Sequence, residues 1–197
     1  MTVAAEARLD LISLNDEMGR ELRRLWPMLR GLPMAQLLEA LYELLPVIAD
    51  EYGTGAVALA ADWYADQRAA VEVAGVARVV PASLPPLARF EALARWGVDP
   101  IIKRSDHVAA EALIEGGMKR TVSNMHRETV MQTAIADPAA MGWRRLGRGE
   151  TCDFCRLLIS RGAVYTQSTV RFEAHDSCRC IAAPSWRSDR KTPIRPR

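Results

Sequence analysis

The chain has 197 residues, of which 49% are hydrophobic and 25% are charged, close to the average for a folded soluble domain. Its formal net charge of +2 gives no reason by itself to expect a polyanionic partner. We find no run of about 18 uncharged apolar residues, the length of a membrane span, and no apolar segment typical of a secretory signal at the N-terminus. These features exclude wholesale disorder, a collagen-like chain and a secreted disulfide scaffold, and we expect no membrane partner.

Charge and cysteine are distributed unevenly. Residues 142–197 hold 12 Lys+Arg against 5 Asp+Glu, a balance of +7, so residues 1–141 have a balance of −5. All 4 cysteines lie in the basic part. An acidic part without cysteine and a basic part with every cysteine indicate units with different roles. We therefore predict a helical assembly domain over 1–141, a Cys/His zinc-ribbon-like module over 142–184 and a basic tail over 185–197.

The first part has helical periodicity. Met18, Leu22, Leu25 and Leu29 recur at the spacing that places side chains on one helical face. A broader stripe of the same period consists of Leu37, Leu38, Leu41, Leu44, Leu45 and Ile48. Glycines then predict a break at Gly53 and Gly55, followed by an Ala-rich helix over about Ala56–Ala74.

Prolines and glycines mark the later boundaries. Asp99-Pro100 is typical of a helix start, because Asp caps free N–H groups and Pro at the first helical position loses no hydrogen bond. The predicted elements are a loop over Pro81–Pro86, a short helix ending near Gly97, a helix from Asp99 to Glu115, a break or kink at Gly116-Gly117, and a helix continuing to Ala136.

After Trp143 the pattern changes to short segments between glycines. We predict strands at Trp143–Leu146 and Ala163–Thr166, and one or two helical turns between Cys155 and Ser160, with Gly162 just past their end. The fold class predicted for the whole chain is a mostly α N-terminal region with a small α+β, zinc-binding C-terminal module.

Two clusters of soft ligands stand out in this module. Cys152 and Cys155 form a Cys-x-x-Cys pair, and the second cluster holds His175, Cys178 and Cys180. A Cys-x-x-Cys turn directs both sulfurs to one point, and a second pair of ligands completes the tetrahedron that zinc prefers. We predict a structural zinc site, or the remnant of one. It would also supply much of the stability of a region too small to bury a large core.

Alternatives remain for these residues. Two disulfides, a redox Cys-x-x-Cys and a cysteine nucleophile beside His175 each use part of the pattern. Five candidates also exceed four coordination positions. Cys152, Cys155 and Cys180 are the safest ligands, the fourth is His175 or Cys178, and the spare side chain would support the site through a hydrogen bond.

No catalytic constellation is visible elsewhere. The sequence has no Walker-type loop, no G-x-G-x-x-G and no nucleophile elbow, and four protein ligands would leave zinc no open position for water. We therefore expect no enzyme activity. Trp63, Tyr64 and Trp96 are expected in the core, whereas His107 and His126 are expected at solvated surface positions.

Several segments resemble the phage Mu F-like minor head protein family, in the form found in actinobacteriophages. The resemblance is specific over about Arg127–Pro184 and weaker at Trp63-Tyr64 with Arg68. The segments that carry it are Arg127-Glu-Thr129, Gly142-Trp-Arg-Arg-Leu146, the Thr151–Tyr165 run with its Ser-Arg-Gly-Ala-Val-Tyr ending, His175-Asp-Ser-Cys-Arg-Cys180 and Pro184.

The resemblance implies a minor capsid protein inside the head of a tailed phage, near the portal, with a role in head assembly and in DNA packaging or delivery. Its partners would be the portal or the major capsid protein. It would be located in the virion, and in the host cytoplasm during assembly. Many relatives continue into a capsid maturation protease, whereas this chain stops soon after the motif, so we expect no protease activity.

Two surfaces are candidates for partner contacts. The leucine stripe of residues 37–48 exceeds what a short helix pair can hide, so we expect residues before about Trp96 to contact portal or capsid subunits. Packaged double-stranded DNA is a natural partner of the basic tail, together with Arg144, Arg145, Arg148, Arg156 and Arg179 of the module. This second expectation supports the alternative function, a zinc-stabilised DNA-binding module. The third alternative is a remnant of a capsid maturation protease fusion.

Overall fold

A computed structural model describes residues 3–147, 153–162, 165, 172, 174–176 and 178–186. In this part of the chain, helices dominate and a single pair of strands forms a small antiparallel sheet. The elements are α1 (Val3–Leu29), α2 (Met34–Ala70), α3 (Leu87–Gly97), α4 (Asp99–Arg104), α5 (His107–Ala136), β1 (Gly142–Leu146), α6 (Asp153–Ser160) and β2 (Ile181–Ser185). The predicted fold class is confirmed: the chain is mostly helical, and a Cys/His cluster that could hold a metal lies in the C-terminal region.

Helices α1, α2 and α5 pack against one another and enclose the core, and α3 and α4 lie on α5. Leu37, Leu41, Leu45 and Ile48 are at most 2% exposed, so they face this core. The expectation that the leucine stripe offers a partner surface is therefore wrong for these side chains. The stripe is hidden because α2 packs against α1, α3 and α5. The periodicity of one helix does not reveal how many other helices cover it.

Helix α2 is continuous for 37 residues, through Pro46, Gly53 and Gly55. The predicted break at the two glycines is wrong. A methyl group at Gly53 would overlap the side chain of Met125 on α5, so this glycine allows the two helices to approach closely. A glycine inside a helix costs about 1 kcal/mol relative to alanine, and the contact with α5 offsets that cost.

The predicted helix from Asp99 to Glu115 is instead two helices. Helix α4 ends at Arg104, and the next residue, Ser105, adopts a left-handed conformation with φ of 54°. Asp106 then caps α5 by accepting a 2.9 Å hydrogen bond from the backbone N–H of Ala109. Helix α5 continues without a break through Gly116 and Gly117 to Ala136.

The segment between α2 and α3 is held by side chains of α5. The hydroxyl oxygens of Thr133 and Thr129 accept hydrogen bonds from the backbone N–H groups of Val80 and Ala82, both at 3.0 Å. Both threonines are fully buried. These bonds satisfy backbone donors that an irregular segment would otherwise leave unpaired in the interior.

Helix α2 is long and apolar enough to cross a membrane by length and composition, with a mean hydropathy of 1.2 over its most apolar window. This criterion tolerates a few charges and is less strict than an uncharged run. Core helices of helical proteins satisfy it too, and Leu41, Leu45 and Ala56 of α2 are fully buried in this protein's own core.

The two strands pair antiparallel, with Gly142 opposite Ser185 and Leu146 opposite Ile181. Strand β1 confirms the prediction at Trp143–Leu146, whereas β2 was not predicted. Every residue of β2 is buried, so the polar–apolar alternation that identifies a half-exposed strand is missing. Of the predicted strand at Ala163–Thr166 the structure describes only Tyr165, whose carbonyl accepts a 3.0 Å hydrogen bond from the N–H of Trp143.

The beginning of the predicted tail belongs to the fold. Ser185 is part of β2, and Trp186 is 4% exposed and meets the ring of Tyr64 edge-on at 6.2 Å. Ser185 and Trp186, which the prediction assigned to the tail, are therefore part of the core beside α2. The basic residues Arg187, Arg190, Lys191, Arg195 and Arg197 lie outside the described residues.

Candidate metal centre

Three cysteines and one histidine of the predicted zinc site meet beside the sheet. Cys155 lies on α6, and His175, Cys178 and Cys180 lie on the segment that leads into β2. The ligand atoms of Cys155, His175 and Cys178 are all within 4.8 Å of one another. Cys180 lies outside this group of three, but it is near enough to both other thiols for them to shift its pKa. Cys152, the remaining predicted ligand, lies outside the described residues.

The geometry of the thiols suits a metal better than a disulfide. The Sγ atoms of Cys155 and Cys178 are 3.6 Å apart, far beyond the roughly 2.05 Å of an S–S bond. Bonds of about 2.3 Å from zinc to sulfur give a tetrahedral S···S edge of about 3.8 Å. Cys155, Cys178 and Cys180 are all free and buried. The donor set therefore fits a thiolate-binding metal ion.

His175 is exposed and is oriented by its neighbour. Its Nδ1 lies 2.6 Å from the backbone carbonyl of Asp176. When Nδ1 donates to that carbonyl, Nε2 keeps the lone pair that a metal requires, the usual arrangement for a histidine ligand. The Asp176 carboxylate is held in turn by Arg120 on α5, at 3.0 Å. His175 and Cys178 were alternatives for the fourth metal ligand. Both lie next to Cys155, so both can contribute a ligand atom.

Arg127 of α5 connects the helical core to this site. It is 1% exposed, and its guanidinium donates to the carbonyl of Cys180 at 2.9 Å and to that of Cys178 at 2.6 Å. A third hydrogen bond, of 2.8 Å, goes to the side-chain oxygen of Asn124. Burial lowers the pKa of Arg127 to about 10, and the nearby thiols, Cys178 foremost, act in the opposite direction. The side chain therefore stays charged at neutral pH.

A second buried arginine approaches from β1. Arg145 is 3% exposed, and one of its guanidinium nitrogens lies 3.7 Å from Sγ of Cys155. Its guanidinium carbon lies 3.7 Å from the ring centre of Phe172, and that of Arg127 lies 4.9 Å from the same ring. The expectation that Arg145 contributes to a basic surface is therefore wrong. Arg156 and Arg179 are exposed and Arg144 is half-buried, whereas Arg148 lies outside the described residues.

The thiols influence one another. The hydrogen bond with Cys180 lowers the pKa of Cys178, and Arg127 adds to this effect. The same hydrogen bond, together with burial, raises the pKa of Cys180. Of these two thiols, Cys178 is thus the one that more readily supplies a thiolate.

Aromatic rings close one side of the centre. Trp143 of β1 is 1% exposed and stacks on Tyr165 with 4.4 Å between ring centres. It also stacks on Phe172 at 5.7 Å. These rings exclude water from the neighbourhood of the two arginines, which strengthens every charge interaction there.

The remaining candidates take different positions from those predicted. His126 is fully buried, so its predicted surface position is wrong, and His107 is half-buried. Trp63 and Tyr64 are in the core as predicted, but Trp96 is 46% exposed. Much of the circumference of α5 is covered, so its buried residues do not form a single apolar stripe. The burial of its polar residues could therefore not be predicted from periodicity.

The structure describes one of the two carboxylates that flank the cysteine clusters in the sequence. Asp153 is exposed and pairs with Arg156 on the same helix. Glu173, which flanks the second cluster in the sequence, lies outside the described residues. Sequence analysis did not place Arg127 or Arg145 beside the cysteines, and the only signal for Arg127 was its place in the motif before the module.

Comparison with known proteins gives one match. The model of the family described as VG15 protein matches residues 2–196, nearly the whole chain, and the chain belongs to this viral protein family. No curated protein and no solved structure matches it. Membership of a viral family indicates the virus particle or the infected host cell as its location.

Proposed function

Starting from membership of this viral family, we propose that the protein is a minor capsid protein of a tailed phage, with a structural role in head assembly near the portal. The observation that carries the proposal is the family match over residues 2–196. The Mu F-like motif pattern that includes Arg127 and the Cys/His cluster supports the narrower assignment to a minor head protein. Host cytoplasm during assembly and the interior of the head afterwards are the corresponding locations.

The metal in this proposal is zinc. Its support is the donor set, since thiolates with an imidazole are the ligands of structural zinc sites. Cys155, Cys178 and His175 would hold the ion, with Cys180 or Cys152 as the further ligand. When bound, zinc supplies a fixed tetrahedral link and no redox chemistry. The protein's own residues then do the structural work: α6 is tied to the segment that enters β2, and Arg127 holds that segment to α5.

The contact with portal or capsid subunits is assigned to exposed apolar side chains of the helical region, since the leucine stripe is buried. Met28, Val47, Leu87 and Trp96 are between 46% and 66% exposed. All four lie within the residues up to about Trp96, the region in which the sequence analysis expected this contact. The negative charge balance of residues 1–141 favours a protein surface over DNA as the partner of this region.

The test of the minor capsid assignment is the composition of purified virions. Mass spectrometry should detect the chain in DNA-filled heads at a small fraction of the major capsid protein, and cross-linking should connect it to the portal. Substitution of Leu87 and Trp96 by Ser should lower incorporation while the thermal unfolding midpoint stays close to that of the wild type. Absence of the chain from virions, with abundant chain in the infected cell, would refute the proposal.

One observation favours a second function, DNA binding. Arg8, Lys119, Arg120 and Arg179 line a small cavity of about 100 Å³ beside Cys178, with Asp16 as the one lining carboxylate. Lys119 pairs with Asp16 and Glu115, and Arg120 pairs with Asp176. A phosphate group of a DNA backbone would compete with these carboxylates for the basic side chains. A gel-shift titration at several salt concentrations tests this. DNA binding that weakens steeply with salt would support DNA as a partner, provided that the Arg179→Ala variant shows a smaller salt slope. Salt-independent binding, or no binding, would exclude this second function.

A further inference from the structure

We propose that Arg127 is a positioning residue of the metal centre, and that it selects a centre with at least three thiolate ligands. The inference rests on the proposed metal site. Arg127 would act in two ways: its hydrogen bonds hold the Cys178-Arg-Cys180 turn, and its charge offsets the negative charge of metal-bound thiolates.

The first argument is the hydrogen-bond geometry. Arg127 donates through two different nitrogens to the carbonyls of Cys178 and Cys180, so it grips both ends of the turn that carries these thiols. The bond to Asn124, one turn earlier on α5, fixes the guanidinium itself. The planar fork of arginine suits two acceptors at once, which a lysine cannot reproduce. Arg127 thereby fixes the turn that carries both sulfurs to α5, a 30-residue helix of the core.

The second argument is charge. A buried guanidinium needs a nearby negative charge, and none of the ion pairs in the described ranges involves Arg127. Its three hydrogen-bond acceptors are neutral oxygens. The groups that can compensate it are the thiols, and Arg145 beside Cys155 adds a second buried cation.

The charge of the centre follows from the ligand count. A divalent ion with two thiolates and two imidazoles is neutral, with three thiolates and one imidazole it carries one negative charge, and with four thiolates it carries two. Only the thiolate-rich centres carry the negative charge that offsets buried Arg127. This makes a third thiolate beside Cys155 and Cys178 a requirement, and Cys180 is the candidate among the described residues, with His175 next to them as a further ligand.

The experiment measures zinc affinity of the full chain by competition with a chromophoric chelator under reducing conditions. Arg127→Met should weaken zinc binding about 10- to 100-fold, the usual effect of losing a residue that orients a metal ligand. Arg127→Lys should fall between wild type and Arg127→Met, because it keeps the charge but not both carbonyl bonds. Arg156→Met, which removes an exposed arginine from α6, is the matched control and should bind zinc like the wild type.

Two further measurements decide the interpretation. The cobalt-substituted wild type should show a thiolate-to-metal charge-transfer band of the intensity that three or four thiolates give; two thiolates would overturn the charge argument. Zinc should raise the unfolding midpoint less in Arg127→Met than in wild type. An equal rise, or wild-type zinc affinity in both Arg127 variants, would show that Arg127 serves only the fold. If Arg127→Met does not fold, Arg127→Lys carries the test. Failure of the wild type to bind zinc would instead refute the metal site itself.

Discussion

Trp63 of α2 donates its indole N–H to the backbone carbonyl of Ala182 of β2, at 3.0 Å, although the two residues are 119 positions apart. The bond is buried and joins the helical region to the sheet beside the metal centre. Buried side chains of both regions belong to one continuous hydrophobic cluster. The predicted domain boundary at residue 142 thus coincides with the start of β1, but the two units share a core.

The metal centre can be tested by removal. We expect one zinc ion per chain after purification under reducing conditions, because the thiols are buried, free and close together. Chelation should accelerate amide hydrogen exchange first in α6 and in β2, since metal binding there supplies folding energy. Cys155→Ser should reproduce the effect, and Asp153→Asn on the exposed side of α6 should not. Elemental analysis without metal, together with an intact fold and reactive thiols, would contradict the site.

The buried His126 predicts acid sensitivity. Burial lowers its pKa to about 3 from 6.5, and neither ring nitrogen has a hydrogen-bond partner in the described part of the chain. Between these two pKa values the unfolded state binds a proton at His126 and the folded state does not. The contribution of His126 to the free energy of unfolding is therefore fully present above pH 6.5 and is lost as the pH falls toward 3. Between pH 7 and pH 5 the loss is about 2 kcal/mol.

The measurement for His126 is urea unfolding at pH 7 and pH 5. His126→Leu should reduce the pH dependence by about 2 kcal/mol, because an apolar side chain of similar size has no proton to bind. Its stability at pH 7 should stay within about 1.5 kcal/mol of the wild type. An unchanged difference between the two pH values would show that His126 is not the responsible group.

The ion pair between Arg68 and Asp137 closes the end of the helical core. Its side chains are 9% and 3% exposed, and the hydroxyl of Tyr64 donates to the same carboxylate at 3.0 Å. Asp137→Asn should cost roughly 3–5 kcal/mol, because it leaves a buried guanidinium without a counter-charge. The control is Asp99→Asn, which breaks the exposed pair with Lys103 and should cost less than about 1 kcal/mol. Equal effects in denaturant titrations would disprove the role of burial.

The close packing of Gly97 against α5 predicts that this position does not tolerate a larger side chain. A methyl group there would overlap the side chain of Ile114 on α5, near its stiff branch point. Gly97→Ala should therefore destabilise the protein by about 1–3 kcal/mol. Gly55→Ala meets only the end of the flexible Leu14 side chain at 3.3 Å, so helix propensity should balance the contact. Calorimetric midpoints that rank the two variants in the opposite order would refute the packing argument.

We also predict that the chain has no proteolytic activity of its own. Incubation with the cognate capsid and scaffold proteins should leave both uncut, since the thiols next to His175 are assigned to a metal ion, and a metal-bound thiolate is not free to act as a nucleophile. Gel electrophoresis over several hours is the measurement. Cleavage that disappears in His175→Ala, but persists in the control His107→Ala, would overturn the expectation and direct attention to the Cys/His cluster.

Some features of this protein follow from sequence alone. The spacing of Cys155, His175 and Cys178 predicted a shared site because metal ligands must converge, and side chains of these types have few other reasons to cluster. The amphipathic stripe around Leu41 and Leu45 predicted helix because its period is a local property of the backbone. Both predictions depend on short-range chemistry that a neighbouring element does not change.

Tertiary structure decided which residues are buried, because burial depends on the elements that pack against each helix. Gly53 is a helix breaker by propensity, yet it lies inside α2 because Met125 of α5 occupies the space of a side chain. Arg127 and His126 are polar residues of one helix, and their burial was set by the turn and helices packed around α5. Periodicity reports which face of an element is apolar; it does not report how many neighbours cover it. The sequence therefore determined the Cys/His cluster and the helical character of the first part of the chain, and packing determined which charged groups surround the cluster.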